Sequence, residues 1–72
     1  MFISSRHLRW NGHELFFGRQ RIASVVPDGK YLGMWRVQRP NGRLTDMVNL
    51  TRAKDAAMAL SLASLNGMQE AA

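Results

Sequence analysis

The chain has 72 residues, no cysteine, and ten lysine and arginine side chains against five acidic ones, which give a formal charge of +5. A chain of this length forms one domain and buries only about 60% of the surface that it exposes when unfolded, so one sheet covered by one helix is near its limit. Without cysteine or a long apolar run, the sequence excludes disulfide bonds, thiolate metal sites and a membrane-spanning segment. We therefore expect a cytoplasmic protein with a single domain over residues 1–72 and strands within about residues 7–50.

The first part of the chain is predicted to form short strands. Residues 1–5 are expected to be frayed or loosely docked. Residues 7–10 and 13–17 flank Asn11-Gly12, a pair typical of a tight hairpin turn. Residues 19–26 form the next candidate strand, which ends at a Pro-Asp-Gly turn signal.

A second hairpin is predicted around Pro40-Asn41-Gly42. Residues 34–39 alternate apolar and polar side chains, as a half-buried strand does, and the returning strand is expected to end at Leu50. Proline presets the second position of a type I turn and glycine adopts positive φ, which favours a three-residue loop. A two-residue loop with Asn41 and Gly42 both at positive φ is the alternative.

The two loops predict different partners for each residue of the strand, because a shift of one residue turns every side chain to the other face. The three-residue loop places Trp35 opposite Met47 and the two-residue loop places it opposite Val48. With the three-residue loop Arg36 also lies opposite Asp46. We favour this loop, since it pairs unlike charges across the strands.

An alanine-rich helix is predicted over about residues 51–66. The Thr51 hydroxyl can cap its first turn, and Gly67 is a natural stop. Residues 68–72 are expected to be frayed. Together with the strands, this helix predicts an α+β fold, in which an antiparallel β-meander of three to five strands is packed on one face by a single C-terminal α-helix.

The predicted helix has two apolar faces. One face consists mostly of small side chains that let a helix approach a sheet closely, and it contains Ala53, Ala56, Ala57, Leu60, Ala63 and Ser64. The other face, formed by Met58, Leu62 and Leu65, needs a cover. Residues 2–3 or the hairpin at residues 16–17 could supply it. Otherwise this face is a partner interface, for a second copy of the chain or for another protein.

Basic charge is concentrated in the strand region. Residues 1–43 carry eight basic and two acidic side chains, a balance of +6, whereas the remaining residues have a balance of −1. Eight of the ten basic residues are arginine, whose planar fork suits phosphate oxygens and guanine edges. This pattern favours a nucleic-acid partner, although a basic surface that serves only solubility explains the same composition.

Several segments between residues 19 and 67 share a pattern with a known group of DNA-binding domains. They are Tyr31-Leu32-Gly33, the strand with Trp35 and Val37, the Asn41-Gly42 turn, the strand ending at Leu50, and AAMALSLA at residues 56–63. The pattern resembles the three-stranded sheet and helix of AP2/ERF domains and of the arm-binding domains of phage-type integrases. The chain is also similar to small bacterial proteins of this size.

The resemblance implies that the sheet face away from the helix enters the major groove of duplex DNA. Alternation would then direct Trp35 and Val37 toward the helix. The side chains predicted on the exposed face are Arg19, Arg21, Arg36 and Gln38. Arginine can read guanine and glutamine can read adenine, while Arg39 and Arg43 near the turn could hold phosphates.

Catalysis has little support in the sequence. The acidic residues are scattered, and the two histidines, His7 and His13, lack a third metal ligand. We therefore predict no enzyme activity, catalytic residue, metal, cofactor or small-molecule substrate. The favoured function is a small nucleic-acid-binding module, and the alternative is a protein-interaction or self-associating accessory domain that uses the helix face at Met58, Leu62 and Leu65.

Overall fold

The computed structural model describes the backbone of residues 2–71 and the side chains of residues 2–67. A short 3-10 helix at Ser5–His7 precedes four strands and one long helix. These elements are β1 (Leu8–Asn11), β2 (Glu14–Phe17), β3 (Gln20–Pro27), β4 (Trp35–Gln38) and α1 (Leu50–Ala71).

The four strands form one antiparallel sheet in the order β1-β2-β3-β4, and α1 packs against β3 and β4. Each strand therefore pairs with its neighbour in sequence, which makes the sheet a meander. The predicted α+β fold with a single C-terminal helix is confirmed.

Two of the connections are two-residue loops that begin with glycine. Gly12-His13 joins β1 to β2 and Gly18-Arg19 joins β2 to β3, and both glycines have a φ of +62°. Positive φ at the first loop residue is typical of a type II′ turn, which glycine adopts without steric cost. The predicted Asn11-Gly12 turn is thus displaced by one residue, and Arg19 lies in a loop instead of in a strand.

The predicted Pro-Asp-Gly turn after residue 26 is also replaced. Pro27 belongs to β3, and the connection to β4 is a loop of residues 28–34 that the Asp28 N–H closes on the Met34 carbonyl at 2.7 Å. Gly33 has positive φ in this loop and Gly29 does not. The turn chemistry therefore differs from that of the later hairpin.

The hairpin around Pro40 has the predicted three-residue loop. The Gly42 N–H donates to the Arg39 carbonyl and the Arg39 N–H donates to the Arg43 carbonyl, both at 2.9 Å. Gly42 has a φ of +86° and Asn41 does not have positive φ. These features identify a type I turn followed by glycine, and they exclude the two-residue alternative.

Beyond this loop the pairing departs from the predicted register. Gln38 lies opposite Leu44, as a three-residue loop requires, but Trp35 lies opposite Val48 instead of Met47. One extra residue is therefore accommodated between the two pairs.

The Thr45 side chain explains how the extra residue is tolerated. Its hydroxyl accepts a hydrogen bond from the Val37 N–H at 3.0 Å and so replaces a backbone partner in the ladder. The segment at residues 43–49 consequently forms isolated bridges, and the regular strand predicted to end at Leu50 is absent from the described residues.

α1 begins one residue earlier than predicted and is capped by Asn49, not by Thr51. The Asn49 side-chain oxygen accepts from the Arg52 N–H at 2.9 Å, and its carbonyl accepts from the Ala53 N–H at 2.9 Å. An asparagine at this position satisfies one of the free N–H groups of the first turn.

The helix continues through Gly67 to Ala71, so the predicted stop at Gly67 is wrong. Glycine inside a helix costs only about 1 kcal/mol relative to alanine, which helical neighbours on both sides can offset. Residues 68–72 were also predicted to be frayed, and their side chains lie outside the described part of the chain.

The N-terminal segment is fixed to the far end of α1. Ile3 is 2% exposed, its N–H donates to the Asn66 side-chain oxygen at 2.8 Å, and its carbonyl accepts from the Asn66 amide nitrogen at 2.9 Å. The side-chain amide pairs with the backbone as a neighbouring strand would. Of the two alternatives predicted for residues 1–5, a frayed or a docked segment, Ile3 is therefore docked.

The core lies between α1 and the inner face of the sheet. Its buried apolar side chains are Ile3, Leu8, Leu15, Ala23, Val25, Val37, Ala53 and Ala57. Ala53 and Ala57 confirm that the small-residue face of α1 approaches the sheet. The centre of that face nevertheless runs through Ser61, which is buried, whereas Ala63 and Ser64 are exposed.

The other apolar face of α1 packs mostly against its own chain. Met58, Leu62 and Leu65 are half-buried and contact the core. Phe17 also packs against the core, while Phe2 is exposed. The predicted partner interface on this helix face is therefore reduced to the part of these side chains that remains accessible.

The close approach of α1 to the sheet predicts that Ala53→Leu destabilises the fold. Ala53 has no exposed surface, so the added methylene groups must displace packed neighbours at a cost of about 1–3 kcal/mol. Urea unfolding monitored by circular dichroism measures the change. Ala63→Leu, on the exposed side of the same helix, is the matched control, and equal stability of both variants would contradict this packing.

Candidate nucleic-acid interface

The sheet face opposite α1 carries rows of side chains that cross several strands. Residues that lie opposite each other in adjacent strands project from the same face. Arg9 lies opposite Phe16 and Phe16 opposite Arg21, which forms the first row. The second row contains Glu14, Ser24 and Gln38, and the third contains Val26 and Arg36. We refer to this surface as the open face.

A β-bulge places Arg21 on the open face. Leu15 lies opposite Ala23, but Phe16 lies opposite Arg21, so Ile22 is an extra residue in β3. Strict alternation from the buried Ala23 would direct Arg21 toward the helix, and the bulge reverses it. Arg21 therefore faces the open side of the sheet as predicted. The cause is the bulge at Ile22 and not the simple alternation of side chains along the strand.

The predicted orientations of the β4 side chains are also confirmed. Val37 is buried and Trp35 packs against the core, whereas Gln38 is exposed. Arg36 lies on the open face opposite Val26, but only 32% of its side chain is accessible.

Two arginines of the open face are paired with acids. Arg21 lies 2.7 Å from a carboxylate oxygen of Glu14, and Arg36 lies 2.9 Å from one of Asp28. Arg36 also donates to the Thr45 carbonyl at 2.9 Å. The predicted pairing of Arg36 with Asp46 is thus wrong, because the shifted register moves Asp46 away and the loop after β3 presents Asp28 instead.

Asp28 organises the loop between β3 and β4. It accepts hydrogen bonds from Arg36 and from the N–H groups of Tyr31 and Lys30, at 2.8–2.9 Å. These bonds, the one from Arg36 first, hold the pKa of the Asp28 carboxyl below its usual range. Arg36 is therefore engaged in fixing this loop, which leaves less of its guanidinium for a base edge.

We expect Asp28 to make the stability of the fold pH-dependent. Because its pKa is lower in the folded chain than in the unfolded chain, its contribution is complete above about pH 4 and is lost as the pH falls through the lowered pKa. Asp28→Asn should consequently reduce stability at pH 7 and have a smaller effect near pH 2–3.

Urea unfolding at both pH values measures this difference. Asp46→Asn is the matched control, since Asp46 is exposed and forms no ion pair with any described residue. A larger loss of stability in Asp46→Asn than in Asp28→Asn at pH 7 would indicate that Arg36 pairs with Asp46 and not with Asp28.

Several predicted residues meet at one end of the open face. A depression of about 180 Å³ lies between the start of β3 and the turn after β4. Its polar lining is Arg21, Ser24, Gln38 and Arg39, with Pro40 and Gly42 at the turn. Arg43 follows in the same turn, where its N–H donates to the Asn41 side chain at 2.9 Å.

The structure thus groups Arg21, Gln38 and Arg39, with Arg43 beside them. It leaves two predicted residues apart: Arg36 lies toward the other end of β4, and Arg19 lies in the loop between β2 and β3. Arg39 and Arg43 form no ion pair with the described residues, so their charges are available to a ligand.

Two further residues of the open face, Arg9 and Phe16, were not predicted from the sequence. The Arg9 guanidinium lies over the Phe16 ring, 5.6 Å from its centroid. Phe16 is half-buried and exposes an aromatic surface between Arg9 and Arg21. The pair Phe16-Phe17 could have indicated an exposed aromatic side chain. Adjacent residues of a strand point to opposite faces, so one of the two phenylalanines had to face outward.

The histidines have local roles. His7 accepts from the Ser4 N–H at 3.0 Å and so caps the 3-10 helix. The His13 ring packs edge-on against Trp35, with 4.6 Å between the centroids. Across the described residues, histidine and acidic side chains form no cluster of three that could hold a metal ion.

No family model matches the sequence, and no curated protein or solved structure matches the chain. The resemblance to AP2/ERF and integrase arm-binding domains therefore stays a prediction. Among residues 2–71, no helix has the length and apolar character needed to cross a bilayer.

Proposed function

We propose that this protein is a small nucleic-acid-binding module that docks duplex DNA on the open face of its sheet. The observation that supports the proposal is the depression in which Arg21, Gln38 and Arg39 converge beside Arg43. A cytoplasmic location, where DNA is accessible in a bacterial cell, is part of the same proposal.

The dimensions of the sheet suit a major groove. Adjacent strands lie about 4.8 Å apart, so β2, β3 and β4 together present a surface about 10 Å wide. The major groove of B-DNA is about 12 Å wide and admits elements of this width. Side chains in the rows of the open face would then point at base edges.

The charges suggest a division of roles. Arg39 and Arg43 flank the turn at the edge of the surface, where they can contact phosphates and position the module. Arg21 and Gln38 lie farther inside, and their side chains match guanine and adenine edges respectively. Arg36 supports the site by holding the loop at Asp28.

Titration of a labelled duplex with the unmodified protein, followed by fluorescence anisotropy at several salt concentrations, tests the proposal. We expect micromolar binding at low ionic strength and an affinity that falls steeply as salt rises, because phosphate contacts release condensed counterions. No binding at low salt by a sample that circular dichroism shows to be folded would overturn the proposal.

Glu14 provides a more specific prediction. Its carboxylate lies on the open face and neutralises Arg21 at 2.7 Å, so Glu14→Gln removes a charge that repels phosphate and frees the guanidinium. Affinity for duplex DNA should rise about threefold to tenfold, in keeping with the gain of about one cationic contact. The same titration measures it.

Asp55→Asn is the control for Glu14→Gln, because it removes one negative charge from the exposed surface of α1. An equal rise in affinity for both variants would show that only net charge matters and would count against a site on the open face.

A further inference from the structure

A second depression opens on the helix side of the same end of the sheet. It has a volume of about 170 Å³ and lies between α1 and the ends of β3 and β4. Most of its wall is apolar and includes Ile22, Val37, Leu60 and Leu65. We refer to it as the cavity.

The cavity arises because β3 and β4 separate. Their pairing stops at Ser24 and Gln38, and beyond this point the chain of β4 turns away through Pro40, which has no N–H to donate. α1 covers the gap with Ala57 and Ser61, which are too small to fill it. The space therefore results from the separation of the strands together with the small side chains of α1 above it.

Ser61 gives the cavity a polar group at depth. The residue is 6% exposed and lines the cavity, and its hydroxyl forms no hydrogen bond with the described residues. No described side-chain nitrogen or oxygen is both inaccessible and unpaired. The accessible part of the hydroxyl consequently faces the cavity, where a ligand can reach it.

Arg39 gives the cavity a cation. Its side chain belongs to the lining, it is half-buried, and it forms no ion pair with any described residue. A guanidinium at an apolar cavity attracts a carboxylate, with which it can form two parallel hydrogen bonds.

We propose that the cavity binds a small hydroxylated carboxylate with a compact apolar body. The carboxylate pairs with Arg39, the body contacts Ile22, Val37 and the leucines of α1, and the hydroxyl bonds to Ser61. A cavity of about 150 Å³ accommodates a benzene ring, so the body is limited to about one six-membered ring. A purely apolar ligand would leave the Ser61 hydroxyl without a partner, which weakens binding.

Isothermal titration with 4-hydroxybenzoate, benzoate and neutral methyl 4-hydroxybenzoate tests the proposal without nucleic acid, so its outcome is independent of the DNA-binding function. We expect 4-hydroxybenzoate to bind about tenfold more tightly than either of the others, since each lacks one polar contact. Amide shifts in ¹⁵N spectra should centre on Ile22 and on residues 60–65.

Single substitutions test which residue contacts which group of the ligand. Arg39→Gln should weaken 4-hydroxybenzoate about tenfold and leave the methyl ester unchanged, and Ser61→Ala should reduce 4-hydroxybenzoate to the affinity of benzoate. Arg43→Gln is the matched control, because it removes an arginine from the same turn without touching the cavity. Thermal melts confirm that each variant is folded.

Three results would overturn the proposal. One is the absence of 4-hydroxybenzoate binding at about 10 mM, beyond the range expected for a ligand of this size. Another is an equal loss of affinity in Arg39→Gln and Arg43→Gln, which would indicate diffuse charge attraction. The third is an unchanged preference for 4-hydroxybenzoate over benzoate in Ser61→Ala, which would place the ligand elsewhere.

Discussion

The double substitution Arg21→Gln and Arg39→Gln is expected to weaken binding to duplex DNA by about a hundredfold at about 0.1 M salt. Both side chains line the depression on the open face. Arg39 is the phosphate contact of the pair, so the slope of log K against log salt should fall by about one. The rest of the lost affinity comes from the contact between Arg21 and a base edge. Anisotropy titrations of both proteins at four or more salt concentrations measure affinity and slope together.

A control of equal charge separates a defined site from general attraction. Arg52→Gln with Lys54→Gln removes the same two charges from α1, on the other side of the sheet. We expect a smaller loss of affinity and little change in slope. If the two double variants lose affinity equally, the basic half of the chain binds DNA without a preferred surface and the open face is not the interface.

The separate roles of Arg21 and Arg39 can be distinguished by sequence preference. Arg39 lies at the turn, so its single substitution should weaken binding to all duplexes alike. Arg21 lies within the sheet and could read a guanine edge, so its substitution should weaken a preferred sequence more than a random one.

In the hairpin around Pro40, local backbone preferences predicted the loop type correctly but not the register of the strands. Proline, asparagine and glycine have backbone preferences that act within four residues, and the loop type followed from them. The register farther along depended on the Thr45 hydroxyl, which substitutes for a backbone partner at Val37. A side chain that replaces a backbone hydrogen bond between strands does not change the alternation of apolar and polar residues, so the sequence pattern does not reveal it.

The open face was only partly predictable for a similar reason. Alternation correctly directed Gln38 outward, but Arg21 reached the same face through the bulge at Ile22, which depends on pairing with β2. The partner of Arg36 depended on the loop before β4, where three donors converge on Asp28. Such a convergence is formed by tertiary geometry, and residue spacing alone does not determine it.

The cavity could not be predicted from the sequence at all. It exists because two strands separate beyond Ser24 and Gln38 while α1 presents Ala57 and Ser61 above the gap. Small residues on a helix face usually indicate close packing, as they do at Ala53. Whether they permit contact or leave a space depends on the backbone that they meet.

Leu62→Glu is expected to destabilise the monomer by about 2–4 kcal/mol. Leu62 is half-buried and packs against the core, so the substitution removes apolar contact and brings a carboxylate against apolar side chains. A chain of this size has only about 4–10 kcal/mol of stability in total, so a large part of it would be lost. Urea unfolding by circular dichroism measures the effect.

The matched control is Ala63→Glu, which adds the same charge to the next, exposed residue of α1 and should change stability by less than about 0.5 kcal/mol. Sedimentation of both variants addresses the alternative function, in which Met58, Leu62 and Leu65 bind a second copy of the chain. If Leu62→Glu remains as stable as Ala63→Glu but converts a dimer of the unmodified protein to a monomer, the helix face is an interface between chains. If it unfolds as expected and the unmodified protein sediments as a monomer, these side chains serve the core of their own chain.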